Sequence, residues 1–161
     1  MKTILKNCRL LGTSHDKTML HDVYVEGGII EKIGLNLEVE GAKVLDVGGH
    51  MVMPGLIDMH CNICDPGHEY IEDIATVSRA ALRGGFTTIT CEPNTSPAID
   101  NKTVVEYIVS KSKEKSLVNI YPYGSMSLKC EGEEMAEIGE MFDAGIVGIS
   151  DGDEFTDSAA F

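Results

Sequence analysis

Strand-like and helix-like segments alternate from residue 54 to the end of the chain, and this alternation restricts the possible folds more than any other feature. Four short apolar segments are typical of strands: "GLIDMH", "FTTITCEP", "LVNIYPYGSM" and "IVGISDG". Three segments between them have helical spacing of apolar residues: "EYIEDIATVSRAALRGG", "NKTVVEYIVSKSKEKS" with Asp100 as its N-cap, and "GEEMAEIGEMFDAG". This order and the short loops predict βα units around a parallel sheet. The continuous apolar run in "GLIDMH" predicts a buried first strand, and residues 153–161 predict the start of another helix.

A closed (β/α)₈ barrel requires eight strands and typically about 250 residues. Residues 54–161 supply four predicted strands, so we expect an α/β fold that forms the first half of a TIM-type barrel. We therefore expect either a piece of a longer protein or a half-barrel whose open strands are covered by another copy or a partner.

Residues 1–53 have a different pattern, which predicts a small all-β unit. The segment "DVYVEGGIIEKIG" has two β-rich runs on either side of Gly27-Gly28, which is typical of a hairpin. The segment "AKVLDVGGHMVMPG" repeats this arrangement around Gly48-Gly49. We place the domain boundary at Met53-Pro54.

Charge and cysteine content exclude several classes of partner. The chain has 161 residues and a formal net charge of −13, whereas binding to nucleic acid or anionic membrane needs clustered Lys and Arg. No apolar run approaches the roughly 20 residues of a membrane span. The five cysteines are an odd number scattered through apolar segments, which indicates reduced thiols and a cytoplasmic protein.

Polar residues follow each predicted strand, and parallel strands carry function at their carboxyl ends. We expect these side chains to converge on one rim. His60 is the member that is hardest to explain as a capping residue. The residues at the strand ends are His60, Asn62, Cys64 and Asp65, then Glu92, Pro93, Asn94 and Thr95, then Gly124, Ser125 and Ser127, and finally Ser150, Asp151 and Asp153.

The segment "PGLIDMHCNICDPGHEYIEDIATVSRAALRGGFTTITCEPNTSPAIDN" resembles the opening of the barrel in dihydroorotases, which are cyclic amidohydrolases of pyrimidine synthesis. That family has a Pro-Gly-hydrophobic-Ile-Asp-x-His-x-His segment followed by an Arg-Glu/Asp-Pro-Gly turn. It continues with Glu-Asp-Ile, Gly-Gly-Phe-Thr-Thr and Pro-Asn-Thr-x-Pro. The resemblance implies a small β-sandwich beside the barrel, which the C-terminus of a longer chain would complete.

The resemblance also implies roles for individual residues. His60 matches the first histidine of a zinc-binding pair, and Asp151 matches the metal-binding aspartate after the fourth strand. Asn94 matches a substrate-binding asparagine. Asn62 stands at the position of the second metal histidine, and Cys64 stands at the position of the arginine that grips the substrate carboxylate. The remaining metal histidines and the catalytic aspartate belong to the second half of the barrel, so we assign no catalytic residue within these 161 residues.

The two altered positions predict weak metal and substrate binding. Zinc lowers the pKa of bound water to about 7, and two imidazoles at i, i+2 on one strand can share one metal. An asparagine amide is a much poorer zinc ligand than an imidazole. A cysteine cannot replace the bidentate carboxylate clamp of an arginine. Activity of the chain alone is therefore not expected.

Other interpretations of the same residues remain open at this stage. His60 could be a core histidine that donates to a backbone carbonyl. Asn94 could cap a turn, and Asp151 could be a helix N-cap. The Cys61–Cys64 pair is formally C-x₂-C, but a structural zinc site needs a second pair of ligands, and buried inert thiols are the simpler interpretation.

Three hypotheses for function follow. The first is a zinc-dependent cyclic amidohydrolase that interconverts dihydroorotate and carbamoyl aspartate. The second is a non-catalytic scaffold that assembles with a partner such as aspartate transcarbamoylase, or with further copies of itself. The third is a βα binding module for an unrelated small molecule, which would bind its ligand without metal.

Overall fold

The computed structural model describes residues 1–12 and 18–154, and the predicted helix within 153–161 lies largely outside the described residues. The chain separates into two compact units, Met1–Pro54 and Gly55–Phe161. None of the helices in the described ranges is long and apolar enough to cross a membrane.

The first unit is an all-β structure. Its five strands form one sheet in the order β3-β2-β1-β4, and β5 also pairs with β1. The predicted hairpin is confirmed, because β2 and β3 pair antiparallel across Gly27 and Gly28, both of which have positive φ. The strands are β1 (Lys2–Leu10), β2 (His21–Glu26), β3 (Ile29–Gly34), β4 (Lys43–Asp46) and β5 (Met51–Val52).

A buried carboxylate holds three segments of this first unit together. Asp22 on β2 accepts hydrogen bonds from the backbone N–H of Asn7 at 3.1 Å and of Leu37 at 2.9 Å. Its Oδ2 also lies 3.1 Å from Nζ of Lys6. Burial alone would raise the pKa of Asp22, but these hydrogen bonds and the lysine hold it below its usual value.

The second unit is the predicted α/β half-barrel, and the α/β fold class is confirmed. Four strands pair parallel in sequential order, β6-β7-β8-β9, with helices between them along the chain. A 3₁₀ turn covers Leu128–Cys130. The strands are β6 (Leu56–Cys61), β7 (Phe86–Cys91), β8 (Asn119–Gly124) and β9 (Gly148–Ile149), and the helices are α1 (Ile74–Arg83), α2 (Lys102–Lys115) and α3 (Ile138–Ala144).

Helix boundaries differ from the sequence-based expectation. Helix α1 starts at Ile74 because Asp73 and Thr76 form a capping box. The Asp73 carboxylate accepts from the backbone N–H of Thr76, and the Thr76 hydroxyl accepts from the backbone N–H of Asp73. The N-cap of α2 is Asn101, so the prediction of Asp100 was wrong. Asp100 instead accepts a hydrogen bond from the N–H of Lys129 at 2.9 Å.

The third predicted helix is much shorter than the periodicity indicated. Helix α3 covers Ile138–Ala144, whereas Met135 forms a bridge with Ser127. This pairing draws the residues before α3 into an extended conformation. A local tertiary contact therefore overrides helix propensity here.

The core of the second unit lies between the sheet and its helices. Its fully buried members include Ile89 on β7 and Ile108 on α2. Strand β6 was predicted to be buried, and this was wrong: Ile57 is 62% exposed and Met59 is 67% exposed. Among the described strands β6 pairs with β7 alone, so one edge of it has no neighbour.

We expect Asp22→Asn to lower the free energy of unfolding by about 2 kcal/mol at pH 7, because an amide nitrogen would then face backbone donors. The folded pKa of Asp22 lies below the unfolded value of about 3.9, so its stabilisation is present above that value. It is lost as the pH falls through the folded pKa. Urea unfolding from pH 7 to about pH 2.5 should show the difference from wild type shrinking.

The matched control is Glu40→Gln, which changes an exposed carboxylate in the same unit. It should leave stability within about 0.5 kcal/mol at every pH. A stability difference for Asp22→Asn that stays constant down to acid pH would contradict the assignment.

Candidate functional site

The carboxyl ends of β6 and β7 bring an imidazole and a carboxylate together. Nδ1 of His60 lies 3.1 Å from Oε1 of Glu92. The His60 side chain is 65% exposed, which excludes the core-histidine interpretation, whereas the Glu92 side chain is 5% exposed. The backbone N–H of Glu92 donates to the carbonyl of Cys61 at 3.0 Å. The backbone pairing of β6 with β7 therefore places Glu92 next to His60.

Glu92 is a functional candidate to which the sequence analysis gave no role. The sequence pattern places Glu92 among the polar residues after the second predicted strand but does not distinguish it from them. The available signal was an acidic residue directly after the buried segment Ile89–Cys91, where a charge is costly. Its second oxygen, Oε2, is buried and has no hydrogen-bond partner among the described residues.

Asp151 follows β9 and is 4% exposed. Its Oδ1 accepts from the hydroxyl of Ser125 at 2.6 Å and from the N–H groups of Met126 at 2.7 Å and Ser127 at 3.1 Å. Its Oδ2 accepts from the Ser127 hydroxyl at 2.7 Å. Burial raises the pKa of Asp151, but the serine hydroxyls and backbone donors outweigh it and hold the pKa below the usual value.

Asp151 therefore ties the end of β9 to the turn after β8. Its side chain accepts hydrogen bonds from residues 125–127, and not only from the residues that follow it, as a helix N-cap would. Its role as a metal ligand stays a prediction. Four hydrogen bonds already occupy the carboxylate in this conformation.

The loop after β6 carries Asn62 and Cys64, the two positions at which the resemblance predicts a metal histidine and a substrate arginine. Asn62 is exposed and Cys64 is half-buried with a φ of 56°. Ile63 between them is 1% exposed and belongs to the core. The fully buried Asp65 accepts from Tyr107 Oη at 2.9 Å, and Nζ of Lys111 lies 2.8 Å from it. These contacts fix the loop to α2.

The loop after β7 carries Asn94, which is exposed and makes no hydrogen bond through its side chain with the described residues. It lines an open groove of about 620 Å³, together with Lys129 and Glu154. The two strand-end loops touch, because the N–H of Ser96 donates to the carbonyl of Pro66 at 3.0 Å.

Gly67 makes this approach of the two loops possible. It has a φ of +105°, and a β-carbon at this position would lie 2.1 Å from the carbonyl oxygen of Ser96. Only glycine fits between the loops. Asn62, Cys64 and Asn94 are thus carried on neighbouring loops of one edge.

The thiols do not add a metal site. All five cysteines are free. Burial raises the pKa of Cys91 to about 12 and raises the pKa of Cys61, so both thiols stay protonated at neutral pH. Across residues 1–12 and 18–154, no group of three His, Cys, Asp or Glu side chains could hold a metal ion.

The donors at His60 and Glu92 nevertheless have chemistry that suits zinc, an imidazole nitrogen and a carboxylate oxygen. The unpartnered buried oxygen of Glu92 is a position that a cation would stabilise. These two donors are fewer than the three or more protein ligands that a zinc site uses, so the described residues do not by themselves fit the ion.

We expect Asp151→Asn to lower the free energy of unfolding by about 3 kcal/mol in buffer containing a chelator, because the charge is lost and an amide nitrogen, which cannot accept, replaces one of the two carboxylate oxygens among buried donors. Asp153→Asn, which changes an exposed neighbour, is the control and should have little effect. Urea unfolding measures both. If Asp151→Asn were destabilising only when zinc is added, Asp151 would be a metal ligand and not a structural acceptor.

Comparison with known proteins identifies the family. The family described as Dihydro-orotase-like matches residues 49–160. A dihydroorotase of Geobacter sp. (strain M21) is 45% identical over 152 residues, which is 94% of this chain and 36% of that protein. A dihydroorotase of Acetivibrio thermocellus is 45% identical over 148 residues, which is 92% of this chain and 35% of that protein. The chain thus spans about a third of the length of these relatives.

Solved structures agree with this match. An L-hydantoinase (dihydropyrimidinase) from Arthrobacter aurescens superposes with a TM-score of 0.80 at 27% identity, covering 96% of this chain and 36% of that one. A dihydroorotase crystal structure superposes with a TM-score of 0.63 at 15% identity over 92% of this chain and 41% of that one, which supports the fold alone. The parallel half-barrel, the strand-end histidine and these matches lead to one conclusion: the chain belongs to the dihydroorotase-like family of amidohydrolases.

Proposed function

We propose that this chain supplies the first part of the active-site rim of a zinc-dependent cyclic amidohydrolase that interconverts dihydroorotate and carbamoyl aspartate. The observation that carries the proposal is the 45% identity to dihydroorotases over 94% of the chain. The exposed imidazole of His60 at the carboxyl end of β6 supports it, since that edge is where barrel enzymes bind substrate.

The described residues supply the following parts of the proposed reaction. Zinc, when bound, would provide a water with a pKa of about 7 as the nucleophile. His60 offers an imidazole nitrogen, and Asp65 and Asp151 hold the strand-end loops through buried hydrogen bonds. Preorganised loops of this kind lower the entropic cost of binding a substrate.

Recognition of the substrate carboxylate is the weak point of this chain. Asn94 can donate and accept hydrogen bonds from an exposed position beside Lys129. Cys64 has no donors that match a carboxylate. We therefore propose that the chain binds dihydroorotate poorly and that position 64 is responsible.

We expect Cys64→Arg to tighten binding of dihydroorotate by about tenfold or more, because hydrogen bonds to a charged group contribute roughly 1.5–3 kcal/mol. Cys64 already has a φ of 56°, so an arginine adds no new backbone strain. Titration calorimetry with dihydroorotate, and with dihydrouracil as the analogue that lacks the carboxylate, measures the effect.

The matched control is Cys64→Met, which lengthens the side chain without adding charge. The gain should appear for the arginine variant and for dihydroorotate only. Equal gains for both ligands, or no gain for either, would contradict the assignment of position 64 to carboxylate recognition.

We expect no hydrolysis of dihydroorotate by the wild-type chain with added zinc, because Asn62 replaces an imidazole ligand. Loss of the cyclic amide, followed by ultraviolet absorbance, tests this. Turnover above the buffer rate that disappears in His60→Gln would show that the remaining donors suffice for catalysis.

The second candidate is a non-catalytic scaffold that assembles with aspartate transcarbamoylase. Asn62 and Cys64 favour it, as do the exposed apolar side chains Ile57 and Met59 on β6. Co-elution with aspartate transcarbamoylase in gel filtration is the expected result, and Ile57→Lys should abolish it. Ile71→Lys, at an exposed apolar residue outside the strands, is the control. Separate elution of the unmodified proteins would rule this candidate out.

A further inference from the structure

A contact with a buried carboxylate constrains where the His60 ring carries its proton. Nδ1 of His60 lies 3.1 Å from Oε1 of Glu92, and the Glu92 side chain is 5% exposed. An ionised carboxylate accepts hydrogen bonds but has no hydrogen to donate. In the neutral imidazole Nδ1 must therefore be the donor. Nε2 then has a lone pair and no hydrogen.

Glu92 is the fixed member of this pair. Its backbone N–H donates to the carbonyl of Cys61 at 3.0 Å. The fully buried Pro93 follows it, and a proline restricts the preceding residue to extended backbone conformations. The His60 side chain is 65% exposed, so packing restrains its ring much less. The carboxylate is thus the part of the pair that can hold the imidazole in one orientation.

Glu92 has no competitor for the His60 ring. Asp58, two residues earlier on β6, accepts from the backbone N–H of His60 at 3.1 Å. Within residues 1–12 and 18–154, Glu92 is the one residue with a polar atom in contact with a ring nitrogen of His60. The hydrogen bond made by one ring nitrogen decides the state of the other. Free histidine in water favours the opposite form, with the hydrogen on Nε2, so the form in this chain depends on Glu92.

We propose that Glu92 is a positioning residue that fixes His60 in the Nδ1–H form and so presents the Nε2 lone pair at the carboxyl edge of the sheet. Its own carboxylate is buried, so Glu92 acts through His60. The inference rests on the proposed function, because an accepting nitrogen at this edge has a use only if a ligand binds there. The hydrogen bond itself needs no metal ion and no residue outside the described ranges.

NMR of the isotope-labelled 161-residue chain measures the tautomer without an activity assay. Long-range proton–nitrogen spectra distinguish a protonated from an unprotonated ring nitrogen, and they are recorded at alkaline pH, where the ring signals no longer shift with pH. We expect the Nδ1–H form of His60 to exceed the Nε2–H form by about tenfold or more, which one hydrogen bond to a charged group supports. Loss of the signal in His60→Gln assigns it. The exposed His50, whose side chain makes no hydrogen bond with the described residues, is the internal reference and should favour Nε2–H.

Glu92→Met removes the acceptor while keeping the length of the side chain. It should return His60 to the Nε2–H majority expected at His50. Asp58→Asn is the matched control and should keep the wild-type ratio, since an amide oxygen can still accept from the backbone N–H of His60. Glu92→Leu repeats the test if Glu92→Met does not fold, and the wild-type spectrum decides by itself if neither variant folds.

Two results would overturn the proposal. A wild-type His60 in the Nε2–H form would mean that Nδ1 donates no hydrogen to Glu92. An unchanged ratio in Glu92→Met, or an equal change in Asp58→Asn, would mean that Glu92 does not set the tautomer. The Nδ1–H form in wild type and its loss in Glu92→Met, with no binding of dihydroorotate, would support this inference while overturning the proposed substrate.

Discussion

Parallel pairing of β6 with β7 is the interaction on which the candidate site depends. The ladder pairs Cys61 with Cys91 and continues in the bond from the N–H of Glu92 to the carbonyl of Cys61. Because the two strands run in the same direction, the loops that follow them leave the sheet at the same edge. His60 and Glu92, which are 32 residues apart in the sequence, therefore meet at 3.1 Å.

Buried carboxylates hold the loops at this edge. Asp65 binds α2 through Tyr107 and Lys111, and Asp151 binds the turn after β8 through four hydrogen bonds. Burial of a carboxylate is unfavourable unless donors surround it, and here the donors come from segments that are distant in sequence. The polar network thus specifies one arrangement of the loops, whereas an apolar contact would permit several.

Family membership and present chemistry depend on different residues of this chain. The core residues Ile63 and Ile89, and Gly67 with its close approach to Ser96, preserve the scaffold. Asn62 is exposed and Cys64 is only half-buried, so both positions can change without disturbing the core. The chain can therefore keep a scaffold that is 45% identical to a dihydroorotase while the two positions proposed for metal and carboxylate binding vary independently of the core.

The sequence by itself determined the α/β class, the hairpin at Gly27-Gly28, the order of strands and helices, and the family. Those features follow from local periodicity, turn chemistry and a long motif, all of which are readable along the chain. It also identified His60 as the unusual residue of the strand ends.

Tertiary structure alone decided the exposure of β6, the short α3, the use of Asp151 as a buried acceptor and the pairing of Glu92 with His60. Each of these depends on how other segments are placed: the pairing of β6 with β7 alone among the described strands, the bridge between Ser127 and Met135, and the donors around each carboxylate. Contacts of this kind arise only when the chain is folded, because burial and hydrogen bonding are properties of the assembled sheet and not of any one segment.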